Sequence, residues 1–462
     1  MNGEGGSIDP PFAIMRVLTL VMISAVALAA CGGGRSGSDT ALPEAAAKFR
    51  ATPPLSLAAQ VGQKIFFDKN LSGSGKMSCA TCHDPNHAHG PPDDLAVQPG
   101  GSDLKTPGLR AVPSLRYKEY TPAYADLLDN PDGISVPGPG GGFTWDGRAN
   151  TLSEQAGVPL LSSFEMANAS AADVVAKLRA SAYAKLFRQA FGDEAFSNAA
   201  TAFNDASAAL QAYQLEDSSF HPYSSKFDLY AGNKIGGALT PAEARGLAVF
   251  SNPKIGNCSS CHYQGAGLNG SSALFTDFSY EAIGAPRNVH IRANLDPAYV
   301  DMGVCGPLRS DHTPASTAAP EVHCGMFGTP TLRNVATRKV FFHNGVIHSL
   351  EQAIRFYNTR DTNPEIWYPT VGGTPKASAD PSFPKYGLVT TQYAGGTVQK
   401  FDDLPAAYHS NIDAQMPLDG RPAGSVPPMT EQNIADLVCF LGTLTDGYRP
   451  MATPPTSGPC VN

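Results

Sequence analysis

Positive charge is in short supply in this chain: 33 Lys and Arg stand against 41 Asp and Glu, a formal net charge of −8. Without a basic excess to meet a phosphate backbone, nucleic acid is excluded as a partner, while a basic protein partner stays open. Charged residues of either sign make up only 16% of the chain. Length for a membrane span is lacking in the apolar run from Met15 to Ala30 (MRVLTLVMISAVALAA), which is too short to cross a bilayer. The glycine-rich stretch Gly133 to Gly142 (GISVPGPGGG) lacks the Lys and the following helix of a phosphate cradle, so it reads as a turn-rich connector. What remains is the composition of a globular protein, 42% hydrophobic and 9% aromatic, with 46 Gly and 39 Pro implying helices joined by long ordered loops. At 462 residues the chain exceeds what one core organises, so two domains with tails are expected.

The Met15 to Ala30 run has Arg16 near its start and small residues before Cys31, the pattern of a secretory signal. Leu28-Ala29-Ala30-Cys31 also resembles a bacterial lipobox. Cleavage there leaves Cys31 as a lipidated first residue, the only membrane attachment the sequence suggests, whereas ordinary cleavage nearby leaves Cys31 lost or free.

Four of the nine cysteines fall in two C-x-x-C-H pentads, Cys79-Ala-Thr-Cys82-His83 and Cys258-Ser-Ser-Cys261-His262. In a chain with this many Cys and His about 0.004 such matches arise by chance, so two copies carry chemistry. Thiols at i and i+3 each add to one haem vinyl group while the adjacent histidine becomes the proximal iron ligand. Zinc is the competing metal, but pairs about 175 residues apart are unusual for a small zinc site, and zinc leaves each trailing His unexplained. Two covalently bound haems c are therefore expected. Bacterial haem attachment of this kind is completed after export, which agrees with the signal and points to the periplasm. Cys305, Cys324, Cys439 and Cys460 suit disulfides in an oxidising compartment. Pairing 305 with 324 and 439 with 460 is plausible, although four cysteines allow three connectivities.

A helical run from Leu57 to Asp68 leads into the first pentad, and a second, starting at Leu239-Thr240-Pro241 and running from Ala242 to Phe250, leads into the other. Further helices are expected at Ala171 to Phe191, Ala199 to Leu215 and, as a closing helix, Thr430 to Leu444. The repeated order of helix, loop and pentad gives a mainly α fold of two cytochrome c-like haem domains with long Gly/Pro-rich loops. The expected division is a leader and signal peptide (1–30), a tether (31–52), an N-terminal haem domain (53–235), a C-terminal haem domain (236–450) and a tail (451–462).

From about Leu57 to Leu444 the chain resembles the bacterial dihaem cytochrome c peroxidase and MauG family. Two pentads alone would not show this. The specific block is Phe143-Thr-Trp145-Asp-Gly-Arg148, followed by Gln155, Pro159 and Glu165 at offsets of 10, 14 and 20 from Trp145. In the MauG branch those offsets belong to a Trp between the haems and to the Gln, Pro and Glu of the distal pocket. The second half adds Pro330-Thr-Leu-Arg-Asn334, Phe341-Phe-His343-Asn-Gly345 and a segment from Ser349 to Tyr357. Fourteen residues after the His of the F-H-x-G element, peroxidases of the family place a Met ligand and MauG-like members a Tyr; here that position is Tyr357. On periodicity alone Tyr357 is also a core aromatic beside Leu350 and Ile354, with a remote Met such as Met326 as the ligand.

The resemblance implies hydrogen peroxide as oxidant, the first haem as the open site and the second as the electron-transfer centre. Glu165 would move the peroxide proton, Gln155 hydrogen-bond the oxygens, Pro159 narrow the pocket and Trp145 relay an electron. Their plain alternatives are a solvated helix carboxylate for Glu165 and a packed aromatic for Trp145. Partners follow: a small redox protein as donor, or a protein substrate whose Trp is oxidised as in MauG-like and MbnH-like enzymes. An electron carrier or haem sensor is the non-enzymatic alternative. Two departures from the family pattern stand out. Only His87 and His89 lie near the first pentad, so no masking ligand is expected on the first haem. The R-N-x-P element that serves the family calcium reads Arg110-Ala111-Val112-Pro113, and Arg338-Lys339 stands where backbone carbonyls would face the ion. Calcium is accordingly expected to be absent, with a cationic side chain taking its charge.

Overall fold

Two helix pairs, one in each half of the chain, cross at a glycine. The computed structural model describes residues 53–462 apart from 134, 268–269, 313–320, 377–385 and 452–455; the signal, Cys31 and the tether lie outside the described residues. In the first half run α1 (Leu57–Phe67), α2 (Cys79–Cys82), α3 (Leu152–Leu161), α4 (Ala171–Ala180), α5 (Ala184–Phe191) and α6 (Ala199–Glu216). After α7 (Lys226–Ala231) come α8 (Pro241–Ser251), α9 (Leu350–Thr359) and α10 (Glu431–Gly442). A Cβ on Gly62 of α1 would stand 1.9 Å from the Ala209 carbonyl oxygen of α6, and one on Gly246 of α8 would stand 2.0 Å from that of Asp436 in α10. Only glycine lets those backbones touch, and the same device recurs in both halves.

The helices start where side chains can cap them. Ser56 accepts from Ala59 N at the head of α1, and Thr240 forms a capping box with Glu243 while Pro241 occupies the first turn of α8. Thr430 caps α10 in the same manner with Asn433. Apolar faces then close two cores. One gathers Val61, Ile65, Phe66, Phe187, Leu210, Tyr213 and Phe220; the other gathers Phe227, Phe250, Phe275, Phe356, Trp367 and Phe440. The change of core falls between Phe220 and Phe227, so α7 packs with the second half although it precedes residue 235.

Strands among the described residues are short two-stranded antiparallel ladders. Two expectations change. The segment from Ala171 to Phe191 is two helices, because Ser181 turns out of the helix and donates from its hydroxyl to Leu178 O at 2.7 Å. The connector at Gly133 to Gly142 contains an extended piece, Gly138–Gly140, paired with Ala125–Leu128 through an irregular register. Disulfides join Cys305 to Cys324 and Cys439 to Cys460, the latter tying the tail to α10.

Candidate functional site: two cavities sharing one wall

Each pentad opens onto a cavity, of 240 Å³ at the first and 220 Å³ at the second, whereas a third, at 20 Å³, has room for little more than one water. In the first, α2 presents Cys79 and Cys82, and His83 follows at its C-cap. His83 Nδ1 lies 3.2 Å from His89 O, so it donates to that carbonyl and leaves the Nε2 lone pair for a metal. Burial pushes this imidazole down to about 4, which keeps it in the neutral, ligating form. At the second pentad His262 Nδ1 meets Phe275 O at 3.1 Å, and burial again pushes the imidazole down to about 4. Two thiols, a free imidazole nitrogen and a large apolar-lined space are what a covalently held haem requires, and both cavities supply them.

The far wall of the first cavity is α3 and the turn after it. Thr151 caps α3 by accepting from Glu154 N at 3.0 Å. Gln155 and Pro159 sit one turn apart in this helix, and because Pro159 has no N–H, it cannot close the helical bond to Gln155 O. Glu165 comes from the following turn, where Gly101 N donates to its carbonyl at 2.8 Å. Burial raises the Glu165 carboxyl above its ordinary value, partly opposed by the nearby Ser162 hydroxyl and the charge of Arg148. Among the described residues His83 is the only histidine lining this cavity; His89 instead stacks on Phe220 with ring centres 3.9 Å apart, and His87 lines the second cavity.

Trp145 lines both cavities. Its indole Nε1–H donates to Ala111 O at 2.8 Å, and its carbonyl accepts from Gly328 N at 2.9 Å. Next to it the buried Asp146 is gripped by Arg110 and Arg148, each at 2.8 Å, and Arg110 reaches Asp301 at 2.7 Å with two nitrogens. Burial alone would raise the Asp146 carboxyl; the two guanidinium groups hold it below its ordinary value. The indole is therefore held in the common wall by its own hydrogen bond and by an ionic clamp on its neighbour.

Tyr357 lines the second cavity with His262. Leu350, Ala353, Ile354 and Tyr357 form one face of α9, and all four line this cavity. Burial raises the phenol above its ordinary value. Met416 also lines the cavity, while Met326 does not.

Lys118 escaped sequence reasoning, and Arg338 and His343 were placed by it only within family elements. Lys118 lines both cavities and Arg338 the second. Burial, with the Arg338 charge nearby, pushes the Lys118 ammonium down to about 8, and burial pushes Arg338 down to about 10. Arg338 Nη2 donates to Val112 O at 3.0 Å, joining the two segments in which the family calcium pattern is missing. His343, the anchor of the F-H-N-G element, stacks on Phe327 with ring centres 3.5 Å apart. No run or period in the sequence marks Lys118. Arg338 stood out only as a departure from a family pattern.

A family model described as di-haem cytochrome c peroxidase matches residues 56–235. The methylamine utilization protein MauG of Paracoccus denitrificans is 36% identical over 325 residues, covering 69% of this chain and 78% of that protein. The chain belongs to the dihaem cytochrome c peroxidase and MauG family. The cytochrome c551 peroxidase of Pseudomonas aeruginosa is 27% identical, covering 68% of this chain and 75% of that protein. The crystal structure of the diheme peroxidase BthA from Burkholderia thailandensis superposes with a TM-score of 0.71 at 37% identity, covering 86% of this chain and 87% of the other. Membership makes this chain an oxidoreductase that acts on hydrogen peroxide. Its helix-rich architecture with few short strands is that of the dihaem peroxidases, and the carrier reading is set aside. Among the described residues no helix is long and apolar enough to cross a membrane.

Proposed function

We propose that one haem c is held by Cys79, Cys82 and His83 and another by Cys258, Cys261 and His262, and that peroxide is reduced in the first cavity with Glu165 as the proton carrier. The observation that carries this reading is the meeting, in one cavity, of the His83 imidazole, the half-buried Glu165 carboxyl, Gln155 and Pro159. Haem iron, when bound, supplies the site for peroxide and the electrons that break its O–O bond. Glu165 takes the proton from the inner oxygen and returns it to the outer one, which leaves as water. The Gln155 amide holds the oxygens in place, and Pro159 restricts what can enter. Trp145, in the wall common to both cavities, passes an electron between them. Tyr357, which lines the second cavity with His262, would with it hold a second iron; a hard anionic donor there would favour high oxidation states and remove the need for prior reduction.

This reading is tested by adding hydrogen peroxide to the oxidised, two-haem protein and recording near-infrared absorption and electron resonance. Loss of both ferric signals with a new charge-resonance band is the expected result; an unreactive protein would overturn it. A second reading, oxidation of a Trp on a partner protein, draws on Tyr357 and on the likeness to MauG; a small redox protein as donor is the partner of the first reading. Export to the periplasm with an anchor at Cys31 completes the proposal, resting on the signal-like leader.

For calcium the residues do not fit. The half-buried Arg338 guanidinium already takes the Val112 carbonyl, donating to it at 3.0 Å. Arg338 is proposed to supply that positive charge. Metal analysis of the purified protein should therefore give well under one calcium per chain, and a chelator should leave peroxide reduction unchanged; one tightly held calcium would refute this.

A further inference from the structure

Three aromatic residues near the first cavity differ in what their polar hydrogen can reach. Trp145 donates to the Ala111 carbonyl, and Tyr280, which lines the same cavity, donates to the Gly141 carbonyl at 2.7 Å. A carbonyl cannot take a proton, so neither residue can settle as a neutral radical after losing an electron. Tyr124 is different: its hydroxyl donates to Asp126 Oδ1 at 2.9 Å, a carboxylate that can.

The three are also packed in sequence. A Cβ on Gly147, two residues from Trp145, would lie 2.3 Å from the Tyr280 hydroxyl oxygen and 2.7 Å from Tyr124 Cδ2, so both rings press on the turn that carries the indole. Gly328, which donates to the Trp145 carbonyl, pairs directly with Tyr280 in a short ladder. The Tyr280 and Tyr124 ring centres are 5.6 Å apart, edge to face, and Tyr124 meets His312 at 5.2 Å. His312 Nε2 lies 3.1 Å from Asp126 Oδ1, and the Asp126 side chain is 40% exposed, which gives the proton a way to water.

We propose that Tyr280 and Tyr124 carry an oxidising equivalent from the wall of the first cavity to the surface, where Tyr124 is the residue that meets an external one-electron donor. The inference rests on the peroxide-reducing reading of that cavity. Reduction of one peroxide to two waters consumes two electrons, one from each of two passes of the relay, and two protons taken up from bulk water at the first cavity. In each pass Tyr124 gives one electron through Tyr280 to the peroxide-oxidised centre and its phenolic proton to Asp126. A one-electron donor then restores the electron, and Asp126 returns the proton. The Arg309 guanidinium lies 3.9 Å from the centre of the Tyr124 ring. A cation over the ring opposes positive charge within it, so electron and proton must leave together, and the carboxylate is what allows this. The same arginine donates to the Asp146 carbonyl at 2.8 Å, fixing Tyr124 to the turn beside Trp145.

The test uses the oxidised two-haem protein, peroxide and a nitroso spin trap, read by electron resonance and by peptide mass mapping. The expected adduct is on Tyr124, lost in Tyr124→Phe and reduced tenfold or more in Asp126→Asn, which keeps the phenol and changes only the exposed base. Tyr230, 42% exposed and remote from this chain of contacts, is the control and should stay unlabelled. Labelling that follows exposure, with Tyr230 marked as strongly as Tyr124, overturns the relay, as does loss of the ferric signals with no adduct at Tyr124. Ferric signals that survive peroxide overturn the reading of the cavity and the relay together.

Discussion

Glu165→Gln lowers kcat/KM for hydrogen peroxide by about 10²–10⁴-fold, the range a positioned acid–base group supplies. The substitution keeps the shape of the side chain and its capacity to hydrogen-bond and removes only the transferable proton, so the resting spectrum stays as it was. The pH profile adds a second signature. To accept a proton from the inner peroxide oxygen the carboxyl must be ionised, and burial, opposed only in part by Ser162 and Arg148, has raised the pH at which that happens. The rate therefore climbs with pH as Glu165 loses its proton, along a limb lying above the ordinary glutamate range. That limb disappears in Glu165→Gln. Stopped-flow kinetics across pH 4 to 9 would check both; a variant with the parent's rate and profile would make Glu165 a bystander.

How far the site was legible depends on how locally its parts are written. The pentads are legible because a covalent bond to a rigid ring demands two thiols at a set spacing and a histidine beside them. Helix starts such as Thr240-Pro241 and Thr430 are legible because capping is decided within four residues. Ser181 was missed because apolar spacing continues across it from α4 into α5, and only the packed chain shows the turn. Helix α3 was not expected from the sequence; the fold carries the helix through Pro159 and leaves the Gln155 carbonyl without its helical donor. The ionic clamp on Asp146, beside Trp145, could not be read at all, since Arg110 and Asp301 are 191 residues apart and no periodicity links them. Cys305 with Cys324 and Cys439 with Cys460 were one pairing of three until the fold brought their sulfurs together.

Tyr357→Met raises the reduction potential of the second haem by a few tenths of a volt, within the roughly 0.8 V over which axial ligands move haem potentials. Methionine sulfur is soft and neutral and stabilises Fe(II), whereas tyrosinate is hard and anionic and stabilises the higher states. The position suits the exchange. Ser349 caps α9 and sets its phase, which brings Leu350, Ala353, Ile354 and residue 357 to the wall of the same cavity as His262. A thioether on that face occupies the space the phenol leaves. The variant should then react poorly with peroxide until one electron has been added, because the second centre no longer shares the oxidising equivalent, and the near-infrared band should be lost. Tyr357→Phe separates ligation from packing: it keeps the ring against Phe342, 5.9 Å away, and removes only the oxygen. If Tyr357 is a packing aromatic, redox titration and electron resonance of Tyr357→Phe match the parent, and the methionine variant shifts nothing. If it is the ligand, Tyr357→Phe loses the tyrosinate signature while the first haem is unchanged, and only the methionine variant gains the high potential.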